Sequence, residues 1–476
     1  MSKRRRSDPY VLQGRSFKAP PTRSLLKATD YGHPQRLIPE QFVPAQRGGG
    51  WGPFAEAFAR MNQPACDSLD VRIQIGADTS GPVIRLVPGG RIGAVPLVSP
   101  QTGHVAGGFV VAPRFGWAGV GQVLSQTGWA ASPRFLPWPL VPGSGREVPP
   151  WVMAGPVLTR LASLLQSMRQ GYHEVNATLE RPRGRILWQA YIARNLARGN
   201  WSRLPCRFQE LEPDPRLKSQ IRWTLERVYH GLVSVGGRDP VAVVLADWAM
   251  RLLERLGTVP SIQPRAAELD RMLAGHRLLS DALRSGLQAI AWVVEERGLG
   301  GGQEQDGLAW MLPLDQLWEA YVEAMVRQEA ARVGGEVRVA RRCETTFPLE
   351  WTDASCRSLG HLAPDMVVRG GDWLWIVDAK YKAHLAEMDE AGWHQVQEET
   401  RASHRADLHQ ILAYAGLYDA TTIRASLVYP LRHSTWQALH ATGRDTSRAQ
   451  LHCGGRNLTL ELRGLPFGSA GATPWP

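Results

Sequence analysis

The chain has 476 residues, 55 Lys+Arg against 44 Asp+Glu, a formal charge of +11 and 43% hydrophobic residues. At roughly 100–200 residues per domain this length predicts two to four domains with real cores, and 48 Gly with 34 Pro stay well short of a collagen-like or disordered composition. The lack of any run of about 18 uncharged apolar residues argues against a transmembrane helix, and the basic start MSKRRRSDPY, with no apolar stretch behind it, argues against a secretory signal.

Residues 1–60 read as a basic arm, partly disordered. The first 50 carry ten basic and three acidic side chains and end at Gly48-Gly49-Gly50. Such an arm is drawn to polyanions, and a nucleic-acid contact and a solvated tail are both open readings. Residues 61–150 read as a β-rich domain, because VRIQI, VIRLV and GGFVVAP are short apolar runs broken by Gly and Pro. Helical periodicity takes over in 151–300. Leu158, Leu161, Leu164, Leu165 and Met168 form one stripe, and 240–256 forms another, with Pro240 suited to a helix start. GLGGGQEQDG at 298–307 reads as a linker. No GxxxxGK[ST] occurs, which argues against nucleotide hydrolysis by this chain.

Over 301–440 the pattern becomes helix, strands, helix. Leu314, Leu317, Trp318, Tyr321, Val322 and Met325 predict a helix over 313–332. LAPDMVVRGGDWLWIVDAKYK (362–382) is two apolar runs around Gly370-Gly371, a hairpin signal. Leu408, Ile411, Leu412 and Ala415 mark a helix over 401–418, and LVYPL (427–431) another strand. Residues 441–476 read as a strand and tail segment. Five cysteines (Cys66, Cys206, Cys343, Cys356, Cys453) without CxxC spacing read as reduced thiols of a soluble cytoplasmic protein.

Only six of the 55 basic residues are lysine, and Lys380 and Lys382 stand two apart in one segment. A compact ammonium differs from a guanidinium wherever a small point charge must enter a site. With Gly370-Gly371 as a two-residue turn, paired residue numbers sum to 741, so Asp365 faces Ile376. Asp378 is then its diagonal neighbour about 7–8 Å away, and Lys380 shares that face. A three-residue loop would reverse the parity. Trp373, Trp375 and Val377 fill one face and Leu374 and Ile376 the other, as in a strand covered on both sides. Carboxylates at the end of such a strand need a cation, either Lys380 or a metal. Oxygen donors without His or Cys favour Mg²⁺ or Mn²⁺.

Pro364-Asp365, thirteen residues, then Asp378-Ala379-Lys380 resembles the PD-(D/E)XK nuclease motif. Glu319 matches that family's upstream acidic residue, and Gln410 with Tyr414 matches the Q-x-x-x-Y element of its RecB-like branch. LAPDMVV, IVDAKYK and DLHQILAYA are similar to the McrC family, nuclease subunits of modification-dependent restriction systems. The likeness is strong over about 310–430 and looser over 100–230, where RGRILWQAYIARNLARG (183–199) and Pro113-Arg114-Phe115 carry it.

The resemblance implies an α/β multidomain chain with a β-rich N-terminal domain, a helical middle and a PD-(D/E)XK restriction-endonuclease-like core. That core is a mixed sheet flanked by helices. It further implies Mg²⁺-dependent hydrolysis of DNA, with antiviral defence as the setting. Asp365, Asp378 and the Ala379 carbonyl would hold the metal, Glu319 would complete its shell or bind a second ion, and Lys380 would polarise the attacking water. A solvated helix-face glutamate is the other reading of Glu319. Gln410 and Tyr414 would shape the site or touch the DNA backbone, although helix packing explains Tyr414 equally. Lys382 reads as a phosphate contact or a surface lysine, and His384, His394, His404 and His409 as surface residues. The upstream regions would dock on an AAA+ GTPase or ATPase. A standalone defence or repair nuclease and a catalytically silent DNA-binding scaffold are the competing functions.

Overall fold

The structure, a computed structural model, describes residues 24–37, 51–78, 81–129, 131, 133–144, 149–168, 171–212, 214–234, 239–275, 280–294, 307–352, 358–382, 385, 395, 398–453 and 455–468. It is a mixed α/β chain with several sheets. The linker expected over 298–307 lies outside the described residues except for Gly307, and so do His384, His394 and Cys356. Among the described residues no helix is long and apolar enough to cross a membrane.

The N-terminal half is built on a five-stranded sheet in the order Ser24–Thr29, Val105–Ala112, Arg91–Val98, Trp310–Pro313, Arg134–Phe135. Over 24–37 and 51–60 the expected arm is therefore corrected to strands and a helix. Ser24–Thr29 pairs in parallel with Val105–Ala112, Gln35–Leu37 joins a second sheet with Gly81–Pro88 and Val71–Asp78, and Trp51–Ser68 is a helix. The physical reason is burial. Ala28, Leu37, Ala55, Phe58 and Cys66 all enter the core, a local apolar content that the surrounding charge masks.

VRIQI, VIRLV and GGFVVAP form strands where their alternation places them, but the β-rich segment also holds the helix Gly116–Gln126. The segment expected to be helical contains the helices Pro150–Ser167, Pro215–Ser234, Pro240–Leu256, Ala266–Gly275 and Asp281–Val294. Pro240 does open its helix, with the Asp239 carboxylate accepting from the N–H groups of Val241 and Ala242. Between these helices lies an antiparallel sheet of Gly171–Leu179, Leu204–Glu212 and Arg185–Ile186. The adjoining 188–201 segment exposes Trp188, Ile192, Leu196 and Trp201.

The C-terminal half is a six-stranded mixed sheet in the order Glu336–Val339, Met366–Arg369, Trp373–Ala379, Thr422–Leu431, Arg456–Pro466, Thr446–Cys453. Its last two strands come from the segment expected to be a strand and tail, so the sheet continues to Pro466. Leu314–Val333 covers one face and Glu398–Gly416 the other. One hydrophobic cluster runs from Phe109 and Trp151 through Trp318 and Tyr321 to Trp375, Val377 and Val428, joining the two halves. A second lies under the 398–416 helix and includes Val367, Leu374, Ile376, Ile411 and Tyr414.

The weld between the halves is covalent as well as packed. Trp310–Pro313, a strand of the N-terminal sheet, runs straight into the 314–333 helix. Opposite it stands Gly93, whose φ of +150° and a Trp310 carbonyl oxygen only 2.1 Å from any added Cβ leave no room for a side chain. Gly93→Ala is expected to lose about 3 kcal/mol of stability, while Gly76→Ala, with nothing within 4 Å, should be close to neutral; denaturant unfolding of both variants measures the difference.

Candidate active site

Strand Trp373–Ala379 is rich in aromatic and β-branched residues and is covered on both faces, so its side chains divide by parity. Trp375 and Val377 enter the cluster with Trp318, and Leu374 and Ile376 enter the cluster with Ile411. Asp378 and Lys380 share the second face, toward the 398–416 helix. The strand pairs in parallel with Thr422–Leu431 through Ala379↔Val428, and the Lys380 N–H still donates to the Val428 carbonyl at 2.9 Å. That same carbonyl accepts from the Trp318 indole at 3.1 Å. One oxygen thus ties the 314–333 helix to the backbone that carries Lys380.

The hairpin register differs from the expected one. Met366 pairs with Val377 and Arg369 with Leu374, and Gly370 N–H donates to the Trp373 carbonyl. The turn is therefore Gly371-Asp372, one residue later than Gly370-Gly371. In that register the Trp373 indole would lie 2.1 Å from a Cβ at Gly370, so the paired position has room only for a glycine. Parity is kept, but Asp365 moves from a diagonal position to one directly across from Asp378 when the register is continued by one residue. The Ala379 N–H donates to Asp365 Oδ2 at 2.8 Å, which locks that juxtaposition.

Asp378 is 1% exposed. Lys380 Nζ lies 2.7 Å from Asp378 Oδ2, an ion pair between the ammonium and a buried carboxylate. Lys380 also donates to Gln410 Oε1 at 2.8 Å, and Gln410 Nε2 donates to the Tyr414 hydroxyl at 2.7 Å. Gln410 and Tyr414, one turn apart, thus extend the Asp378–Lys380 pair into a relay of four side chains. Burial pulls the Lys380 ammonium down, but the charge and hydrogen bond of Asp378, then Asp365 and Asp407, outweigh it and hold its pKa above the ordinary value. Asp365 is driven the other way. Burial first, then the charges of Asp378 and Glu319, push its carboxyl well above the usual carboxylate range, against the Ala379 N–H and Lys380.

Glu319 is half-buried rather than solvated, and burial, then Glu323, raise its pKa against the pull of Arg341. It lies close enough to feel the charge of Asp378, and its own charge raises the Asp365 carboxyl; among the described residues no preformed group of three His, Cys, Asp or Glu side chains stands ready for a metal ion. Its helix lies over the opposite face of the sheet from Asp378, and the next acidic residue on that helix, buried Glu323, is held by Arg327 and Arg341.

Lys382 is not a loose surface lysine. Its Nζ donates to Ser403 Oγ at 2.9 Å and to the buried Asp407 Oδ1 at 2.7 Å. Asp407 also accepts from the Tyr429 hydroxyl at 3.4 Å, and Tyr429 meets His404 Nδ1 at 3.2 Å. His404, expected at the surface, is buried, and burial lowers its pKa against the charge of Asp407. Asp407 and Ser403 were not singled out from the sequence. The signal was present, because Ser403, Asp407, Gln410 and Tyr414 follow helical spacing and form one polar stripe beside the strand end.

The Asp365 shift sets the sign of a pH effect. The fold favours the protonated carboxyl, so the unfavourable contribution grows as pH rises from the ordinary value of 3.8 up through the raised folded value. Asp365→Asn, which keeps an acceptor for Ala379, is expected to melt above the wild type at pH 8 in EDTA. The gain should be roughly 2–4 °C per kcal/mol of relieved repulsion and should vanish near pH 4; calorimetry across that range checks it.

No curated protein matches the sequence. Among solved structures the chain is similar to one in the refined half-complex from a tetradecameric assembly of Thermococcus gammatolerans McrB AAA+ hexamers with bound McrC. The identity is 13% over 94% of this chain and 96% of that one, with a TM-score of 0.36. It is also similar to a chain of the Thermococcus gammatolerans McrBC complex, at 11% identity over 67% and 90% of the two chains and a TM-score of 0.25. The family of McrBC 5-methylcytosine restriction system components matches residues 156–430, more than half of the sequence and the whole span from the helical middle to the strand behind Lys380. The chain belongs to that family.

Proposed function

We propose that this chain is a Mg²⁺-dependent DNA endonuclease of the PD-(D/E)XK type and the nuclease component of a McrBC-type restriction system. The observation that carries this reading is the convergence of Asp365, Asp378 and Lys380 at the end of one buried strand, with Gln410 closing the far side of the ammonium. Membership of a restriction-system family supports the setting.

The donors fit a hard divalent cation. Asp365 and Asp378 supply buried carboxylate oxygens, with Asp378 Oδ2 already against the Lys380 ammonium. Mg²⁺ is characteristically held by one or two carboxylates with several retained waters, so Asp365, Asp378 and the Ala379 carbonyl would hold it, with Glu319 completing its shell or binding a second ion. When bound, Mg²⁺ or Mn²⁺ lowers the pKa of a coordinated water and neutralises charge on the phosphate. The remaining chemistry is the chain's own. Asp378 and Gln410 fix the Lys380 ammonium from two sides, so its charge is preorganised where negative charge develops on the scissile phosphate. Asp407 and Ser403 hold Lys382 as a second cation beside the same strand end, suited to a neighbouring phosphate.

The sequence has no phosphate-binding loop of its own, and the family is one of system components. The NTP-driven motor is accordingly assigned to a second chain, an AAA+ ring of the kind named in the Thermococcus assembly. The exposed Trp188, Ile192, Leu196 and Trp201 provide an apolar surface for such a partner.

Cleavage of supercoiled and linear DNA in Mg²⁺ or Mn²⁺, with and without the co-encoded NTPase, tests the reading. Wild type should cut, while Asp378→Ala and Lys380→Ala should each lose about 10²–10³-fold in rate. Salt-sensitive DNA binding without cutting in all three proteins would leave a scaffold instead. A separate check is thermal: Mg²⁺ at pH 8 should raise the wild-type melting temperature, do so less as the pH is lowered and the raised Asp365 carboxyl takes up its proton, and have no effect on Asp378→Ala.

A further inference from the structure

The residue after the ammonium is as tightly held as the ammonium itself. Lys380 and Lys382 point toward the 398–416 helix, and Tyr381 between them points the other way and is buried. Its hydroxyl donates to Asp30 Oδ2 at 2.8 Å, across 351 residues of sequence. Asp30 is itself buried at the end of strand Ser24–Thr29, its backbone N–H donating to the Ala112 carbonyl. Its Oδ1 accepts the Arg114 backbone N–H at 2.6 Å, and its Oδ2 stands 3.2 Å from Arg114 Nε. The Arg114 guanidinium lies 4.7 Å from the Tyr381 ring centroid, 4.8 Å from Phe115 and 5.2 Å from Tyr31, a desolvated cation among aromatic faces. Phe115 stacks on Phe467 at 4.7 Å, and Phe467 in turn packs on Trp318 at 5.8 Å.

These contacts have no part in the chemistry proposed above, yet they bolt the N-terminal sheet to the one backbone segment from which Lys380 extends. We infer that Tyr381 is a positioning residue for Lys380, with the Asp30–Arg114 pair of the N-terminal sheet as its fixed point. This rests on the nuclease reading of Lys380. The N-terminal sheet thereby belongs to the nuclease site although none of its side chains reaches Asp365 or Asp378. The reason is geometric. The Lys380 N–H is anchored on Val428, and the Lys382 N–H turns back to the Lys380 carbonyl at 2.9 Å, a tight turn with Tyr381 at its centre. The Tyr381 side chain, held by a buried carboxylate, fixes where that turn sits against the N-terminal sheet.

Tyr381→Phe keeps the ring and removes the hydroxyl, and Asp30→Asn keeps the shape and removes the charge. In the full chain with Mg²⁺ and its motor partner, each is expected to lower kcat about 10- to 100-fold, the scale of a small misplacement of a reacting group, with KM unchanged. The double variant should be no worse than the worse single, because both act through one bond. Additive losses, a rise in KM with unchanged kcat, or wild-type kcat in Tyr381→Phe would overturn the inference while Asp378→Ala inactivity left the nuclease reading intact. Amide hydrogen exchange over 378–382 decides the matter without cleavage: both variants should exchange faster at Lys380, and unchanged protection there refutes the role even if the wild type cuts no DNA.

Discussion

Asp365 and Asp378 meet across adjacent strands at the end of a buried hairpin, and the rest of this half of the molecule is arranged around that repulsion. A chain that sought stability alone would separate two such carboxylates, because desolvation and the neighbouring charge both oppose ionisation of Asp365. The fold instead holds Asp365 on the Ala379 N–H and Asp378 on the Lys380 ammonium. What offsets the strain is apolar burial elsewhere on the same strands: Val367, Leu374 and Ile376 on one face, Val368, Trp375 and Val377 on the other. The site sits at the end of the strand, where that apolar burial gives way to the polar stripe of the 398–416 helix.

The precision of the cation follows from a graded set of supports. Gln410 and Tyr414 hold the Lys380 tip, Val428 holds its backbone, and Asp407 with Ser403 holds the next lysine. The helix that supplies these polar groups also supplies Ile411 to the core beneath them, so positioning and packing are two faces of one element. On the other side of the sheet, Trp318 reaches the same Val428 carbonyl. The continuous core from Phe109 to Trp375 joins the N-terminal sheet to the C-terminal half.

A buried Glu461 shows the same economy away from the site. Burial alone would raise its pKa, but Arg463 and Arg424, with Ser426, overcome that and lower it. Arg424 is also stacked over Trp375 at 4.7 Å, on the face of the sheet opposite the site. In this arginine-rich chain guanidinium groups serve such planar, multiply bonded positions, while two of the six lysines stand at the strand end, where each compact charge is held between two acceptors.

What the sequence by itself determined is local and periodic. Leu314 to Met325 specified the helix Leu314–Val333 to within a residue at either end, Pro240 marked a helix start, and strand alternation placed Asp378 and Lys380 on one face because side chains alternate with period two regardless of context. The Gln410–Tyr414 spacing likewise specified neighbours one helical turn apart. Tertiary structure decided what periodicity does not encode. The hairpin register, with Gly370 paired under the Trp373 indole, set Asp365 against Asp378. Packing drew residues 24–37 out of a charged N-terminal stretch into two sheets. Burial turned His404 and Lys382 from surface residues into members of a polar network around Asp407. The partnership of Asp30 with Tyr381 was beyond any local reading, because a hydrogen bond across 351 residues depends only on where two elements come to rest.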